Sequence, residues 1–186
     1  MRKIIIISGK ARHGKDTFAS LLKEQLMSDG YKVAMMAYAK YLKMYMRDFY
    51  GWDGETKDDV WRSKIQYLGT DKIRNQLNKP NFHVNRVIED IQVVGDDFDY
   101  IIITDARFEN EIFCVKEAFP SKVLTTRVIR ENFESHLSEE QKAHPSETAL
   151  DDFSFNCEIK ADCIEKLESY AQVLSMLLGG VLSESN

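Results

Sequence analysis

Residues 3–19 read Lys-Ile-Ile-Ile-Ile-Ser-Gly-Lys-Ala-Arg-His-Gly-Lys-Asp-Thr-Phe-Ala. Four consecutive isoleucines, Ile4–Ile7, cannot alternate between a wet and a dry face. Such a β-branched run predicts a strand buried on both sides, as in a parallel sheet covered by helices. Gly9 and Gly14, with Lys15 directly after, have the G-x-x-x-x-G-K spacing of a phosphate-binding loop. Phe18, Leu22 and Leu26 then recur at helical spacing. The order is buried strand, glycine loop, amphipathic helix, which is the context the motif requires. Glycines let the backbone curl so that its N–H groups face an anion. The first turn of the helix adds unpaired N–H groups and the positive end of its dipole. Gly9, Ala11, Arg12, His13, Gly14, Lys15, Asp16 and Thr17 are therefore the candidate nucleotide-binding residues, with ATP as the nucleotide and Lys15 reaching its β and γ oxygens.

One position departs from the pattern. Asp16 stands where a serine or threonine usually meets Mg²⁺, and Thr17 follows it. A carboxylate can ligate Mg²⁺ directly or through water. Asp16 and Thr17 are both candidate metal-side residues. The alternative is that Asp16 only stabilises the first helical turn.

Further along, Lys32–Ala37 reads as a second strand and Lys40–Phe49 as a helix with Leu42, Tyr45, Met46 and Phe49 on one stripe. Thr56 or Asp58 is placed to cap a helix reaching about Leu77, and Lys79-Pro80-Asn81 breaks it. Another helix spans Val84 to about Val94. Tyr100–Thr104 repeats the buried-strand signature, and Phe108–Phe119 reads as helix. Lys122–Ile129 is a strand, Phe155–Ile159 a short last one, and Cys163–Leu178 a final helix before a tail expected to fray. Residues 131–152 are polar, contain Pro145 and lack periodicity, so a mobile lid is expected there. The fold class is α/β: one three-layer domain over 1–186, a central parallel sheet flanked by helices, a helical acceptor region at about 40–96 and a small lid.

Length and composition agree. A chain of 186 residues with 44% apolar content supports one real core and would crowd two. The net charge of −5 argues against a nucleic-acid polymer as partner, because a backbone binder needs a basic face. Three cysteines, Cys114, Cys157 and Cys163, are too few and too badly spaced for a disulfide scaffold or a zinc site. His136 and His144 lack ligand-like company. No apolar run approaches the ~20 residues of a membrane span. The expected setting is the cytoplasm, without a membrane.

In open parallel sheets, ligands sit beyond the carboxyl ends of the strands. Three such ends carry chemistry: the glycine loop, Ala39-Lys40, and Asp105-Ala106-Arg107. Asp105 is a candidate for orienting metal or acceptor, and Arg107 for holding an acceptor phosphate through its two-pronged guanidinium. The structural alternative has Asp105 capping the helix near Phe108 and Arg107 pairing with Glu111. Arg127 and Arg130 end the next strand beside the lid, and Arg130 is the better placed to stabilise a moving phosphoryl group. Arg74 lies in the middle helical region and is a second candidate for an acceptor phosphate. Trp52 and Trp61 are expected to pack.

SGKARHGKDTFA (8–19), LGTDKIR (68–74), IITDARFENE (102–111), VIRE (128–131) and HPSETAL (144–150) together resemble the deoxynucleoside monophosphate kinases of bacteriophages and bacteria, a branch of the P-loop nucleoside monophosphate kinases. The GKDT form of the loop is typical of that family. The resemblance implies transfer of the γ-phosphate of ATP, with Mg²⁺, to a deoxynucleoside monophosphate. It places Lys15 and the 9–16 backbone on ATP, Arg107 and Arg74 on the acceptor phosphate, and Arg130 at the transferring group from the lid side; Asp105 as a catalytic candidate and Lys40 as a substrate-side candidate rest on their strand ends alone. It also implies a homodimer. The rivals are a P-loop kinase for another small metabolite, such as dephospho-coenzyme A or phosphomevalonate, and a non-catalytic ATP-binding protein.

Overall fold

The computed structural model describes residues 1–56, 58–135 and 137–180. Lys57, His136 and residues 181–186 of the tail lie outside them. Five strands form one sheet: β1 Lys3–Ser8, β2 Val33–Met36, β3 Tyr100–Ala106, β4 Val123–Arg130 and β5 Cys157–Ala161. All are parallel, in the order β2-β3-β1-β4-β5. The isoleucine run is the central strand. Ile5 and Ile7 face one layer with Phe18, Leu22 and Leu26 of helix α1 (Lys15–Ser28) and Leu167 and Leu174 of α8 (Ile164–Gly180). Ile4 and Ile6 face the other, with Val84, Val87 and Ile91 of α4 (Phe82–Val94) and Ile112 and Val115 of α5 (Glu109–Ala118). All four isoleucines are fully buried, as a two-sided strand requires.

A third, smaller core lies among the middle helices. Leu42 and Met46 of α2 (Lys40–Tyr50) meet Trp52, Leu68 and Ile73. Trp52 donates from Nε1 to the carbonyl of Thr56 at 2.9 Å, and its ring lies 6.4 Å from that of Trp61, so both tryptophans pack as expected. Helix α3 (Asp59–Gln66) is capped by Asp58, whose carboxylate accepts the Trp61 N–H at 2.8 Å. It does not continue as an α-helix to Leu77. Tyr67–Gln76 is π-helical. The wider winding turns Leu68, Gly69, Thr70, Ile73 and Arg74 inward together. Gly69 permits the contact: a Cβ there would meet Leu42 Cδ2 at 2.9 Å.

Residues 131–152 are not wholly aperiodic. They hold two short helices, α6 (Glu139–Ala143) and α7 (Pro145–Thr148). The second starts with Pro145 at its first turn, and the His144 ring nitrogen accepts the Ser146 N–H at 3.2 Å. Leu150 is buried in the core, and Arg127 donates to its carbonyl at 2.7 Å. The end of this segment is thus docked on β4.

Candidate nucleotide and acceptor site

The glycine loop joins β1 to α1 at the carboxyl end of the sheet. Gly14 takes φ +87°, a left-handed conformation that side-chain residues avoid, and serves as N-cap of α1. Gly9 is required by contact: a Cβ there would stand 2.7 Å from the Val128 carbonyl oxygen of β4. Ser8 anchors the loop's start by donating to the Ala106 carbonyl at 2.9 Å.

Lys15 is buried, with its Nζ 3.7 Å from Asp16 Oδ2. Burial, then the positive charge of Arg107, lowers the lysine's pKa, and Asp16, Asp105 and Glu147 oppose this. Asp16 itself is exposed at the start of α1 beside Thr17. Both line a cavity of about 350 Å³ with Arg12, His13, Arg130 and the Ala161–Ile164 turn. His13 Nδ1 accepts the Arg130 backbone N–H at 3.2 Å, which ties the loop to the end of β4. Burial and Lys10 lower the pKa of His13. The Arg130 guanidinium stacks 4.8 Å from the Phe133 ring centre. Residues 12–17 of the expected nucleotide set thus line one opening, whereas Gly9 and Ala11 do not line it.

ATP fits this arrangement. The loop needs glycine at both fixed positions, its lysine points inward, and a helix N-terminus follows. No group of three or more His, Cys, Asp or Glu residues among the described residues forms a metal cage. Mg²⁺ in kinase sites takes only one or two carboxylates, the rest being phosphate and water, so Asp16 with Thr17 suits it.

The acceptor-side residues divide. Asp105 accepts the backbone N–H groups of Tyr38 and Ala39 at 2.7 and 3.0 Å. It therefore holds the β2–α2 turn against β3 and does not cap α5. Lys40, next along, pairs on the surface with Asp90 at 2.8 Å. The capping carboxylate is Glu111, which accepts the N–H groups of Arg107 and Phe108 at 2.7 and 3.1 Å. Glu111 also pairs with Arg74, both being buried. Arg74 donates as well to the Pro80 carbonyl at 2.6 Å and lies 4.0 Å over the Phe108 ring. It braces the π-helix against the start of α5. Burial pushes the Glu111 carboxyl up to about 7, against the pull of Arg74 and the two N–H groups.

Arg107 turns the other way, to Glu147 of α7 at 3.1 Å. Glu147 lies in the HPSETAL piece (144–150), where spacing alone assigns it no role. Its buried carboxylate accepts the Ala11 N–H of the glycine loop at 2.9 Å and pairs with Arg62 of α3 at 2.9 Å. Arg62 was not singled out by any motif. Its only local signal is its place one turn after the Asp58 cap. Nearby, Lys10 and Arg127 both meet Asp151 at 2.8 Å.

No family model matches the sequence. No curated protein matches it. Among solved structures, the chain is similar to an APS kinase of Mycobacterium tuberculosis, with TM-score 0.53 and 10% identity over 95% of this chain and 96% of that one. It is similar to a sugar kinase from Janibacter, with TM-score 0.50 and 11% identity over 98% and 96%. Shikimate kinase from Bacteroides thetaiotaomicron gives TM-score 0.50 and 14% identity over 95% and 98%. The fold is therefore that of the P-loop kinases, with a five-stranded parallel sheet between helical layers. Likeness at these identities establishes the fold alone. No helix among the described residues is long and apolar enough to cross a membrane.

Proposed function

We propose that this chain is a P-loop kinase that moves the γ-phosphate of ATP to a deoxynucleoside monophosphate in the cytoplasm, acting as a homodimer. The observation that carries the phosphotransfer reading is the convergence of Lys15, Arg107, Arg62 and the loop backbone at one end of the sheet. The nucleotide acceptor rests on the five sequence pieces at 8–19, 68–74, 102–111, 128–131 and 144–150. Two of them meet directly, since Arg74 of the second pairs with Glu111 of the third. A second contact joins the first and last pieces, through Ala11 and Glu147.

Bound Mg·ATP would supply the phosphoryl group and a metal charge to neutralise it, with Asp16 and Thr17 as the residues that would hold the metal. The chain's own residues orient and neutralise. Lys15 and Arg130 face the charge that spreads over the moving group. Asp16 and Thr17 serve the metal side. Arg107 presents the acceptor, and Arg74 acts one step back through Glu111. Asp105 fixes the wall of the acceptor region at 40–96, on which Lys40 sits. A phosphate acceptor is already anionic near neutral pH, so no strong general base is needed. Closure of the 131–152 lid would exclude water and limit hydrolysis.

The testing experiment is ADP release from Mg·ATP with each dNMP, each NMP, a nucleoside panel and dephospho-coenzyme A. The reading expects stimulation by one or more dNMPs. Stimulation only by another acceptor moves the chain to a different kinase, and no stimulation by any of them leaves a non-catalytic ATP-binding protein.

A further inference from the structure

The last helix, α8, is apolar on two sides. Leu167, Ala171, Leu174 and Leu178 face inward and are buried with Phe18 and Leu22 of α1. Tyr170, Val173, Met176 and Leu177 point the other way, at 39, 55, 68 and 60% exposure. At about 100° per residue these four fall within an arc of roughly 120°, on the side opposite the buried stripe. A globular helix ordinarily turns charged residues to water on that side. Here no charged residue stands between Ser169 and Gly180, in a chain that is 30% charged. Single exposed apolar residues are ordinary, but a contiguous stripe marks a contact surface. The composition also selects the occupant. A helix that lies on a membrane carries several Lys or Arg beside its apolar face, whereas the one cation of α8 is Lys166 and its exposed neighbours include Glu165 and Glu168. Lys166, half exposed and paired to Asp162 at 2.9 Å, falls on the line of the stripe seven residues before Val173. The negative end of the helix dipole lies seven residues after Val173, at Gly180.

We infer that this stripe is the face on which two copies of the chain pair, with their α8 helices antiparallel about a twofold axis at Val173. The inference rests on the homodimer reading above and deepens it by naming the surface. A twofold contact needs a patch that is complementary to itself. Antiparallel pairing about Val173 supplies one. Tyr170 of each copy lies against Met176 of the other, and Val173 lies against itself. Lys166 of each copy, about 10 Å along the helix from the axis, reaches the carboxyl end of the other's α8, where a cation is favoured. Glu165 and Glu168 lie off the line of contact. The absence of charge along the stripe is what the core of an interface shows. A single helix pair of this length is a small interface, below about 1,200 Å² in total, so the dimer dissociates on dilution.

Sedimentation velocity of the full chain from about 1 to about 200 μM tests this, with Val173→Glu and Leu177→Glu on the stripe and Phe49→Glu of α2 as a control at another exposed apolar residue. The parent sediments as a dimer at the upper end. Each α8 variant sets two carboxylates into the contact and weakens dimerisation about thirtyfold or more, while Phe49→Glu changes it less than about threefold. Far-UV circular dichroism reports whether each variant keeps its fold. Should the charged variants fail to fold, Val173→Cys combined with Cys163→Ser decides the matter. A residue on the twofold axis faces its own copy, so oxidation with copper phenanthroline joins two chains through Val173→Cys, whereas Val93→Cys of α4 gives no such bond. A parent that stays monomeric throughout overturns the face and the homodimer reading together, leaves the stripe to a different partner, and does not touch phosphoryl transfer, which has its own assay. A dimer that survives both α8 variants, or that Phe49→Glu dissociates instead, overturns the face and keeps the homodimer. A parent dimer with no bond between copies in Val173→Cys overturns the antiparallel arrangement.

Discussion

Glu111→Ala is the substitution that most severely tests how the acceptor side is braced. The carboxylate is buried and has three partners: the Arg74 guanidinium and the N–H groups of Arg107 and Phe108. Truncation leaves a guanidinium, itself only 9% exposed, facing an apolar ring and two neutral acceptors, the Pro80 carbonyl and the Asn110 side-chain oxygen. Removing one member of a buried ion pair costs about 3–5 kcal/mol, because the other charge stays buried without compensation. For a chain of this length each kcal/mol shifts the melting temperature by about 2–4 °C, so a fall of roughly 6–20 °C is expected. The assay is thermal or urea denaturation at pH 8, where the carboxyl, pushed up to about 7 by burial, is ionised. The double substitution Arg74→Met with Glu111→Leu removes both charges and should recover most of the loss. A single-variant loss below about 1 kcal/mol would refute the reasoning, as the pair would then be one of the many that contribute little.

Three further outcomes are expected. Burial, reinforced by Arg74, depresses His83 from 6.5 to about 4, so the folded state holds a neutral imidazole. Stability from this group is complete above pH 6.5 and is lost as pH falls towards 4, by about 3 kcal/mol at the lower end. Glu111 acts in the opposite sense below neutrality, so the readout is the difference between parent and His83→Leu in urea titrations from pH 7 to 4; parallel pH profiles would contradict the assignment. Gly9→Ala forces the loop away from the Val128 carbonyl and should cost about 1–3 kcal/mol by calorimetry, with weaker ATP binding by titration. Arg130→Ala should lower kcat about tenfold to a thousandfold with little change in acceptor KM, measured by coupled ADP release; an unchanged kcat would place Arg130 outside the transferring group's reach.

Most of the central layer was legible in the sequence because its signals are local. The isoleucine run, the glycine spacing and the strand ending in Asp105-Ala106-Arg107 each declare themselves within ten residues or fewer. The nucleotide side follows from them, since the loop and its helix are contiguous. The acceptor side was less legible because its partners are remote. Nothing near Glu147 in the sequence announces Ala11, 136 positions away, or Arg62, 85 positions away. Arg74 was readable as an arginine of interest, but its pairing with Glu111 depends on the π-helical winding of 67–76, which side-chain periodicity does not reveal. Asp105 reads as a functional carboxylate at a strand end, with capping of the helix near Phe108 as the structural alternative. The β2–α2 turn claims its oxygens instead, and Glu111 reaches back to cap α5.

The central claim is transfer of a phosphoryl group to a nucleotide phosphate, and ³¹P NMR of Mg·ATP mixed with a dNMP and this protein tests it most directly. The account predicts dNDP and ADP resonances growing in equal amounts, without matching inorganic phosphate, and the loss of both in Lys15→Ala. Inorganic phosphate growing alone, or the same dNDP yield in Lys15→Ala, would contradict it.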